Sequence, residues 1–304
     1  MIDLSVDLGF LRLNNPVITA SGTFGYGPEF LPYFELEKLG GFIVKGLYYS
    51  PRPGNPPPRL AETACGLINA IGLQGIGVER FSSEVLPLLK DCRTALIVNV
   101  CGESEEEYGR VVEYLDRQQG ISAYEINISC PNVKAAGACP ALDPKSTYSV
   151  VKLVKTTTKR PVITKLSPNV TDIVEIALSA QEGGSDAVSL VNTFLAMAID
   201  IHTRKPRLAN ILGGLSGPAI KPVALRMVYQ TAQALSIPVI GLGGIMTAED
   251  AVEFLLAGAH AIQVGTANFI DPGAAVKIVQ GLYQYCEDNN ISHIRELRGA
   301  LEVS

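Results

Sequence analysis

The fold is decided by the stretch Glu125-Ile126-Asn127-Ile128-Ser129-Cys130-Pro131-Asn132. Its apolar residues alternate with polar ones, and this period of two predicts a buried β-strand. The strand ends before Pro131, because proline has no amide hydrogen to donate to a neighbouring strand. A thiol, a hydroxyl and two carboxamides therefore stand together at the end of a strand. Because buried amides need hydrogen-bond partners, this grouping favours a binding or catalytic site over a purely structural turn.

This strand is one of eight short apolar runs, each followed by polar residues or glycine: Pro16–Ala20, Gly41–Lys45, Ala95–Asn99, Ala123–Ile128, Pro161–Lys165, Ala187–Val191, Pro238–Gly241 and Ala261–Val264. Helical patterns lie between most of them, at Glu103–Gln119, Thr147–Thr158, Thr171–Gln181, Ala219–Leu235 and Thr247–Ala257. Strands that alternate with helices predict an α/β fold, here a (β/α)8 TIM barrel with its active site at the carboxyl ends of the strands. An open doubly wound sheet is the alternative, but no Gly-x-Gly-x-x-Gly follows the first strand.

Capping residues mark several helix ends. Thr171 and Thr247 are predicted to begin helices, and Thr247 starts the sequence Thr-Ala-Glu-Asp, a variant of the capping box. Gly183 and Gly258 are predicted to end the helices that precede them.

We expect residues 1–304 to form a single domain, because barrels of this length commonly do. The connections at residues 46–94, 129–146 and 192–218 are longer than a barrel needs. All of them leave the carboxyl end of a predicted strand, and long loops at that face of a barrel are typical of lids and binding loops.

Composition excludes several classes of function. With 47% hydrophobic and 18% charged residues, the chain can bury a large core. A net charge of −5 without a basic cluster argues against nucleic acid as a partner. No apolar run is long enough for a membrane span and no signal-peptide pattern opens the chain, so we expect a soluble cytoplasmic protein. Six cysteines without a Cys-x-x-Cys pair, and three histidines, predict neither a zinc nor an iron–sulfur site.

The residues that close the predicted strands indicate a lined pocket. They are Ser21-Gly22, Lys45-Gly46, Asn99, Asn127, Lys165, Asn192-Thr193, Gly243-Gly244 and Gly265-Thr266. The glycines after the last two strands, together with Ser216-Gly217-Pro218, favour a phosphate site, because glycine lets an anion approach the backbone amides. Tight packing turns are the alternative explanation for these glycines.

The lysines and asparagines indicate what else the pocket binds. A flavin ring needs a cation near its N1/C2 edge, which becomes anionic on two-electron reduction, and Lys165 or Lys45 is placed to supply it. Asn69, Asn127, Asn132 and Asn192 would offer hydrogen-bond donors and acceptors in equal number. That balance suits a small ring that alternates C=O and N–H groups, such as a pyrimidine-dione.

Longer motifs resemble the class 1 dihydroorotate dehydrogenases. The resemblance rests on Asn127-Ile128-Ser129-Cys130-Pro131-Asn132, Asn69-Ala70-Ile71-Gly72-Leu73-Gln74, Lys165-Leu166-Ser167-Pro168-Asn169 and Gly214-Leu215-Ser216-Gly217-Pro218-Ala219. The chain is most similar to the NAD-linked branch (class 1B), through Arg52-Pro53-Gly54-Asn55-Pro56, Arg59, Ala61-Glu62-Thr63, Met197-Ala198-Ile199-Asp200 and Arg204-Lys205-Pro206. The segment Ala135–Pro144 departs from the family pattern.

The resemblance implies one FMN per chain and oxidation of dihydroorotate to orotate in pyrimidine biosynthesis, with Cys130 as the catalytic base. It implies that FMN is held by Ser21, Lys45, Gly46, Asn99, Asn127, Lys165, Val191, Gly217, Gly243, Gly244, Gly265 and Thr266. It implies that the substrate is held by Lys45, Asn69, Ala70, Ile71, Gly72, Leu73, Asn127, Asn192 and Thr193.

The resemblance also implies a partner, an electron-transfer subunit that carries FAD and a [2Fe–2S] cluster and passes electrons to NAD+. Two chains of each kind would form a heterotetramer around a homodimeric catalytic core. Other interpretations remain: a fumarate-dependent (class 1A) enzyme, a flavin-free barrel lyase with a Schiff base on Lys45 or Lys165, and a non-catalytic binding subunit. The last fits poorly with a candidate base, two lysines and four amides at the strand ends.

Overall fold

The computed structural model describes residues 2–129 and 140–303. Within these ranges parallel strands close into a barrel. The strands, labelled β1 to β8 in chain order, are Val17–Thr19, Gly41–Leu47, Ala95–Val100, Ala123–Asn127, Val162–Lys165, Ala187–Leu190, Val239–Leu242 and Ala261–Val264. Each strand pairs with the next, and β8 closes the ring against β1, where Val264 lies beside Thr19. The predicted TIM barrel is confirmed, and each strand lies close to its predicted bounds.

Helices on the outside of the barrel follow β3 to β8 in the described part of the chain. Labelled α1 to α6, they are Glu105–Asp116, Pro144–Thr157, Ile173–Glu182, Lys221–Ala234, Ala248–Leu256 and Ala274–Asp288. Shorter helical segments are Pro28–Phe30, Leu36–Lys38, Gly77–Arg80, Phe81–Val85, Leu86–Leu89, Pro140–Leu142, Pro218–Ile220, Ala267–Ile270 and Ile294–Leu297. Each long helix buries one apolar stripe, as α5 does with Val252 and Leu255.

The helix ends follow the predicted capping chemistry with one correction, at the start of α3. The capping box at Thr247 and Asp250 is present as predicted. Helix α3 is capped by Asp172 rather than Thr171, because the Asp172 carboxylate accepts the amide hydrogens of the first turn. Gly258 has the left-handed conformation of a helix end, with φ of 109°. Gly183 is the C-cap of α3, as predicted, and the next residue, Gly184, takes the left-handed conformation with φ of 98°.

Two of the segments predicted as long loops contain β-structure. In 46–94, Leu60–Thr63 and Gly66–Asn69 form a hairpin, and in 192–218, Phe194–Met197 pairs with Leu212–Ser216. Leu212–Ser216 also pairs with Gly66–Asn69, so these strands form a four-stranded antiparallel sheet. Smaller antiparallel pairs join Val6–Asp7 to Arg12–Leu13 and Ile199–Asp200 to Lys205–Pro206. Most of the third segment, 129–146, lies outside the described residues.

The main core lies between the barrel and its helices, and a small second core of Ala61, Ile68, Ala70 and Leu208 supports the antiparallel sheet. Apart from residues 1, 130–139 and 304, no helix is long and apolar enough to cross a membrane. The same part of the chain holds no cluster of three or more His, Cys, Asp or Glu side chains suited to a metal ion.

Candidate active site at the carboxyl ends of the barrel strands

A cavity of about 470 Å³ opens where the barrel strands end and the antiparallel sheet begins. Its volume is in the range of pockets that bind small organic ligands. Most of the residues predicted for the site line it: Ser21, Lys45, Gly46, Asn69, Ile71, Gly72, Leu73, Asn99, Asn127, Lys165, Val191, Asn192, Thr193, Gly217, Gly243, Gly244, Gly265 and Thr266. Ala70 instead packs in the small core under the sheet. Cys130, the predicted base, lies outside the described residues, as does Asn132.

The floor of the cavity is a buried polar cluster around Glu125 on β4. The Glu125 carboxylate is fully buried and accepts hydrogen bonds from Asn99 Nδ2 at 2.7 Å, Ser189 Oγ at 2.8 Å and Gln263 Nε2 at 2.7 Å. Lys165 Nζ lies 3.6 Å from Glu125 Oε1, and the Lys165 side chain is 5% exposed. The barrel interior therefore holds an ion pair at the level where its strands end.

A second chain of hydrogen bonds fixes the amides of the cavity wall. Ser129 Oγ donates to Asn127 Oδ1 at 2.7 Å, and Asn192 Nδ2 donates to Ser129 Oγ at 2.5 Å. Asn192 Oδ1 accepts the amide hydrogen of Thr193 at 2.8 Å. Because each bond determines which end of the next amide is donor or acceptor, the wall presents a fixed pattern to a ligand. Ser129 acts here as a hydrogen-bonding support between the amides of Asn127 and Asn192.

Another wall of the cavity is formed by Lys45, near the end of β2, and by Arg59 and Asn69 from the segment that follows β2. Asn69 Nδ2 donates to the carbonyl of Gly214 at 3.1 Å, so the antiparallel sheet holds this side chain. Burial lowers the pKa of Lys45, and the positive charge of Arg59 lowers it further. A ligand carboxylate placed between these cations would relieve that repulsion.

The glycines at the other end of the cavity fall into two groups. Gly217, Gly243 and Gly244 have φ of 92°, 126° and 78°, a conformation that other residues rarely adopt. A Cβ on Gly243 would also lie 2.7 Å from Ala224 Cβ. The backbone conformation therefore favours glycine at these three positions whatever the cavity binds. Gly265 is different, because an added Cβ would make only ordinary contacts, 3.6 Å from Ala20 Cβ and 3.9 Å from Thr23 Cγ2.

Glu125, beneath the cavity, and Gln263 and Arg59, which line it, are polar residues that were not predicted as site residues. Glu125 and Gln263 interrupt apolar strands, since Glu125 lies between Tyr124 and Ile126, and Gln263 between Ile262 and Val264. Side chains along a strand alternate between the barrel interior and the helices, so a polar residue in an otherwise apolar strand can be assigned to one of these faces. A buried polar residue of this kind needs partners, and that is the signal that could have identified Glu125 and Gln263. Arg59 was noticed only as part of a motif, although it lines the cavity.

A smaller cavity, about 270 Å³, lies away from the strand carboxyl ends, beside Arg12, His260, His293 and Arg298. Burial, aided by the charge of Arg298, lowers the pKa of His260 to about 4. The His260 imidazole is therefore neutral near neutral pH, which gives it a structural role here.

A TIM barrel whose cavity combines glycine-rich turns, a buried lysine and an array of amides has features typical of barrel enzymes that bind a phosphate-bearing cofactor beside a small polar substrate. The family model for dihydroorotate dehydrogenase matches residues 3–285. A relative from Geotalea uraniireducens, named dihydroorotate dehydrogenase B (NAD(+)), catalytic subunit, is 56% identical over 98% of both chains. A relative of the same name from Bacteroides thetaiotaomicron is 52% identical over the whole of both chains.

The chain therefore belongs to the dihydroorotate dehydrogenase family. A crystal structure of a dihydroorotate dehydrogenase from Eimeria tenella in complex with ferulenol has the same fold, with a TM-score of 0.83 over 98% of this chain and 88% of that one, at 22% sequence identity. The predicted family and its NAD-linked branch are confirmed by these comparisons. The chain is an oxidoreductase, and its family implies a flavin cofactor.

The cavity fits a flavin on structural grounds. Gln263 lines the cavity, and its Oε1 is buried without a hydrogen-bond partner among the described residues. A ligand with an N–H or O–H group could donate a hydrogen bond to this oxygen. Lys165 lines the cavity as a nearly buried cation, the kind of group that suits the N1/C2 edge of a flavin. Packing does not require glycine at position 265 of the cavity wall, because an added Cβ would make only ordinary contacts there.

Proposed function

We propose that this chain is the catalytic subunit of an NAD-linked dihydroorotate dehydrogenase. It would bind one FMN and oxidise dihydroorotate to orotate in pyrimidine biosynthesis, in the cytoplasm. The observation that carries the proposal is full-length similarity, at 52–56% identity, to relatives that share this name. A cavity with an amide-rich end and a glycine-rich end supports it.

The chain's own residues divide the cavity into two parts. Gly217, Gly243, Gly244, Gly265 and Thr266 would surround the FMN phosphate with backbone amides. Lys165 and Asn99 would meet the polar edge of the flavin ring, and Ser21, Gly46 and Val191 would line its sides. FMN, when bound, supplies the acceptor for the hydride that leaves C6 of dihydroorotate.

The substrate would lie between Asn69, Asn127, Asn192 and Thr193, which match the alternating C=O and N–H groups of its ring. Lys45 and Arg59 would hold its carboxylate, because both are cations at the same wall of the cavity. Backbone groups of residues 70–73 would complete this wall. Cys130 Sγ would take the proton from C5, a step that suits a thiol whose pKa is near neutral.

Electrons would leave through a partner subunit with FAD and a [2Fe–2S] cluster, in a heterotetramer built on a catalytic dimer. The name "catalytic subunit" of the relatives supports a partner for this chain. The sequence supports the assignment of the iron–sulfur cluster and the dinucleotide site to the partner, since this chain has no Cys-x-x-Cys pair and no dinucleotide fingerprint after a strand.

The proposal is tested with the purified chain, dihydroorotate and either NAD+ or fumarate, with and without the partner. Cofactor released by heat should be FMN, and NAD+ reduction should require the partner. Asn69→Ala should raise the KM for dihydroorotate while FMN stays bound, whereas Asn289→Ala, at the exposed end of α6, should change neither. Fumarate reduction at full rate by the chain alone would assign it to the other soluble branch, and a flavin-free protein that forms a borohydride-trapped Schiff base would favour a lyase.

A further inference from the structure

Glu125 is a buried carboxylate to which the proposed reaction assigns no role. It is fully buried on β4, and its partners come from four other barrel strands: Asn99 on β3, Lys165 on β5, Ser189 on β6 and Gln263 on β8. A buried carboxylate is costly unless it is paired and hydrogen-bonded, and both oxygens of Glu125 have partners. If position 125 served only packing, an apolar residue of similar volume would fill it without the free-energy cost of burying a charge.

The carboxylate determines which way its neighbours point. An ionised carboxylate only accepts hydrogen bonds, so the amides of Asn99 and Gln263 must both turn their NH2 groups toward it. Their carbonyl oxygens then face elsewhere, and both residues line the cavity. Gln263 Oε1 has no partner in the described part of the chain, and Asn99 Oδ1 accepts the weak donor Cys101 Sγ at 3.5 Å.

Glu125 also sets the charge below the cavity. Lys165 is almost wholly buried, and without Glu125 it would be an unpaired ammonium in a low-dielectric interior. The pair has no net charge, and Lys165, which lines the cavity, is its positive end. The carboxylate behind Lys165 would therefore weaken the electrostatic effect of the ammonium on a flavin held in the cavity.

We infer that Glu125 is a positioning residue that orients Lys165, Asn99 and Gln263 beneath the flavin and moderates the flavin's reduction potential. The inference rests on the proposed binding of FMN in this cavity. Glu125 touches neither cofactor nor substrate in this account and acts through the three side chains that it holds.

The test is the midpoint potential of bound FMN in Glu125→Gln, Lys165→Met and the double variant, measured by spectroscopic titration. Glu125→Gln should raise the midpoint potential, because the charge of the Lys165 ammonium is no longer balanced by a carboxylate. In the Lys165→Met background, Glu125→Gln leaves no unbalanced ammonium, so this rise should disappear.

Several outcomes separate this role from a purely structural one. A structural role predicts lower stability in Glu125→Gln, with a midpoint potential that is either unshifted or shifted equally in the Lys165→Met background. Either result would overturn the inference. If Glu125→Gln does not fold, Glu125→Asp keeps the charge but draws it away from Lys165 by one methylene, and an unshifted potential in that variant would overturn the inference too. If the wild-type protein binds no flavin, the proposed function itself fails, which its absorption spectrum shows directly.

Discussion

Gly265→Ala tests whether glycine at position 265 is required for binding of the FMN phosphate or for stability of the fold. Among the glycines of the phosphate end, Gly265 has room for a methyl group, which would lie 3.6 Å from Ala20 Cβ and 3.9 Å from Thr23 Cγ2. Its φ is outside the left-handed region that favours glycine. The substitution should therefore leave the free energy of unfolding unchanged or raise it by about 0.4–1 kcal/mol, because alanine restricts the unfolded chain.

FMN binding should respond in the opposite direction. The methyl group would stand between the phosphate and the backbone amide of residue 265, and a hydrogen bond to a charged group contributes about 1.5–3 kcal/mol. Loss of one such bond corresponds to a dissociation constant for FMN that is about 10–150-fold higher. Titration of FMN-free protein, followed by quenching of flavin fluorescence, measures this constant, and urea unfolding measures stability.

Gly109→Ala is the matched control, since Gly109 lies on α1 and its added Cβ would also make an ordinary contact, 3.7 Å from Leu153 Cδ2. It should bind FMN like the wild type and be equally or more stable. A Gly265→Ala protein that is stable and binds FMN with wild-type affinity would refute the assignment of the phosphate to this end of the cavity.

Two further variants test other parts of the account. Cys130→Ser should keep FMN bound but slow its reduction by dihydroorotate on the order of 10²–10⁴-fold near neutral pH. The rate should recover at high pH, because serine is a far weaker acid than cysteine. A stopped-flow rate of flavin reduction that matches the wild type would remove Cys130 from the mechanism. His260→Gln should flatten the pH dependence of stability. The pKa of His260 is lowered from 6.5 to about 4 in the folded state, so between these pH values the unfolded chain binds a proton that the folded chain does not. The wild-type protein therefore loses stability as pH falls through that window, and the variant should not. The loss should approach about 2 kcal/mol in urea unfolding, allowing for partial exposure, and the exposed His202→Gln should keep the wild-type slope; equal slopes for both variants would place the effect elsewhere.

Local sequence was enough to predict the barrel, because each strand is an apolar run that ends in polar residues or glycine. Gly41–Leu47 and Ala261–Val264 follow this pattern, and their observed bounds lie close to the predicted ones. The N-cap of α3 was placed one position early, since Thr171 and Asp172 are both capping residues and it is the Asp172 carboxylate that accepts the amide hydrogens of the first turn.

The antiparallel sheet could not be predicted in this way, because its pairing is not local. Asn69 bonds to the carbonyl of Gly214, 145 positions away, and neither strand has a turn signal that specifies the other. The segments 46–94 and 192–218 therefore looked like loops, although both contain strands.

The candidate site was predicted where its residues stand at strand ends, and missed where their role depends on distant strands. Lys165 and Asn127 close their strands and line the cavity. Glu125 lies within its strand, and its partners Ser189 and Gln263 are 64 and 138 positions away in the chain. The role of Cys130 stays a prediction from sequence, because this residue lies outside the described ranges.

The central claim is that this chain binds FMN and that dihydroorotate reduces it. The most direct measurement is the visible absorption spectrum of the purified chain under anaerobic conditions, before and after dihydroorotate is added. The account predicts an oxidised flavin spectrum at first and loss of its visible band on addition of the substrate, with the band restored by NAD+ only when the partner is present. A colourless protein, or a flavin spectrum that dihydroorotate leaves unchanged, would contradict it.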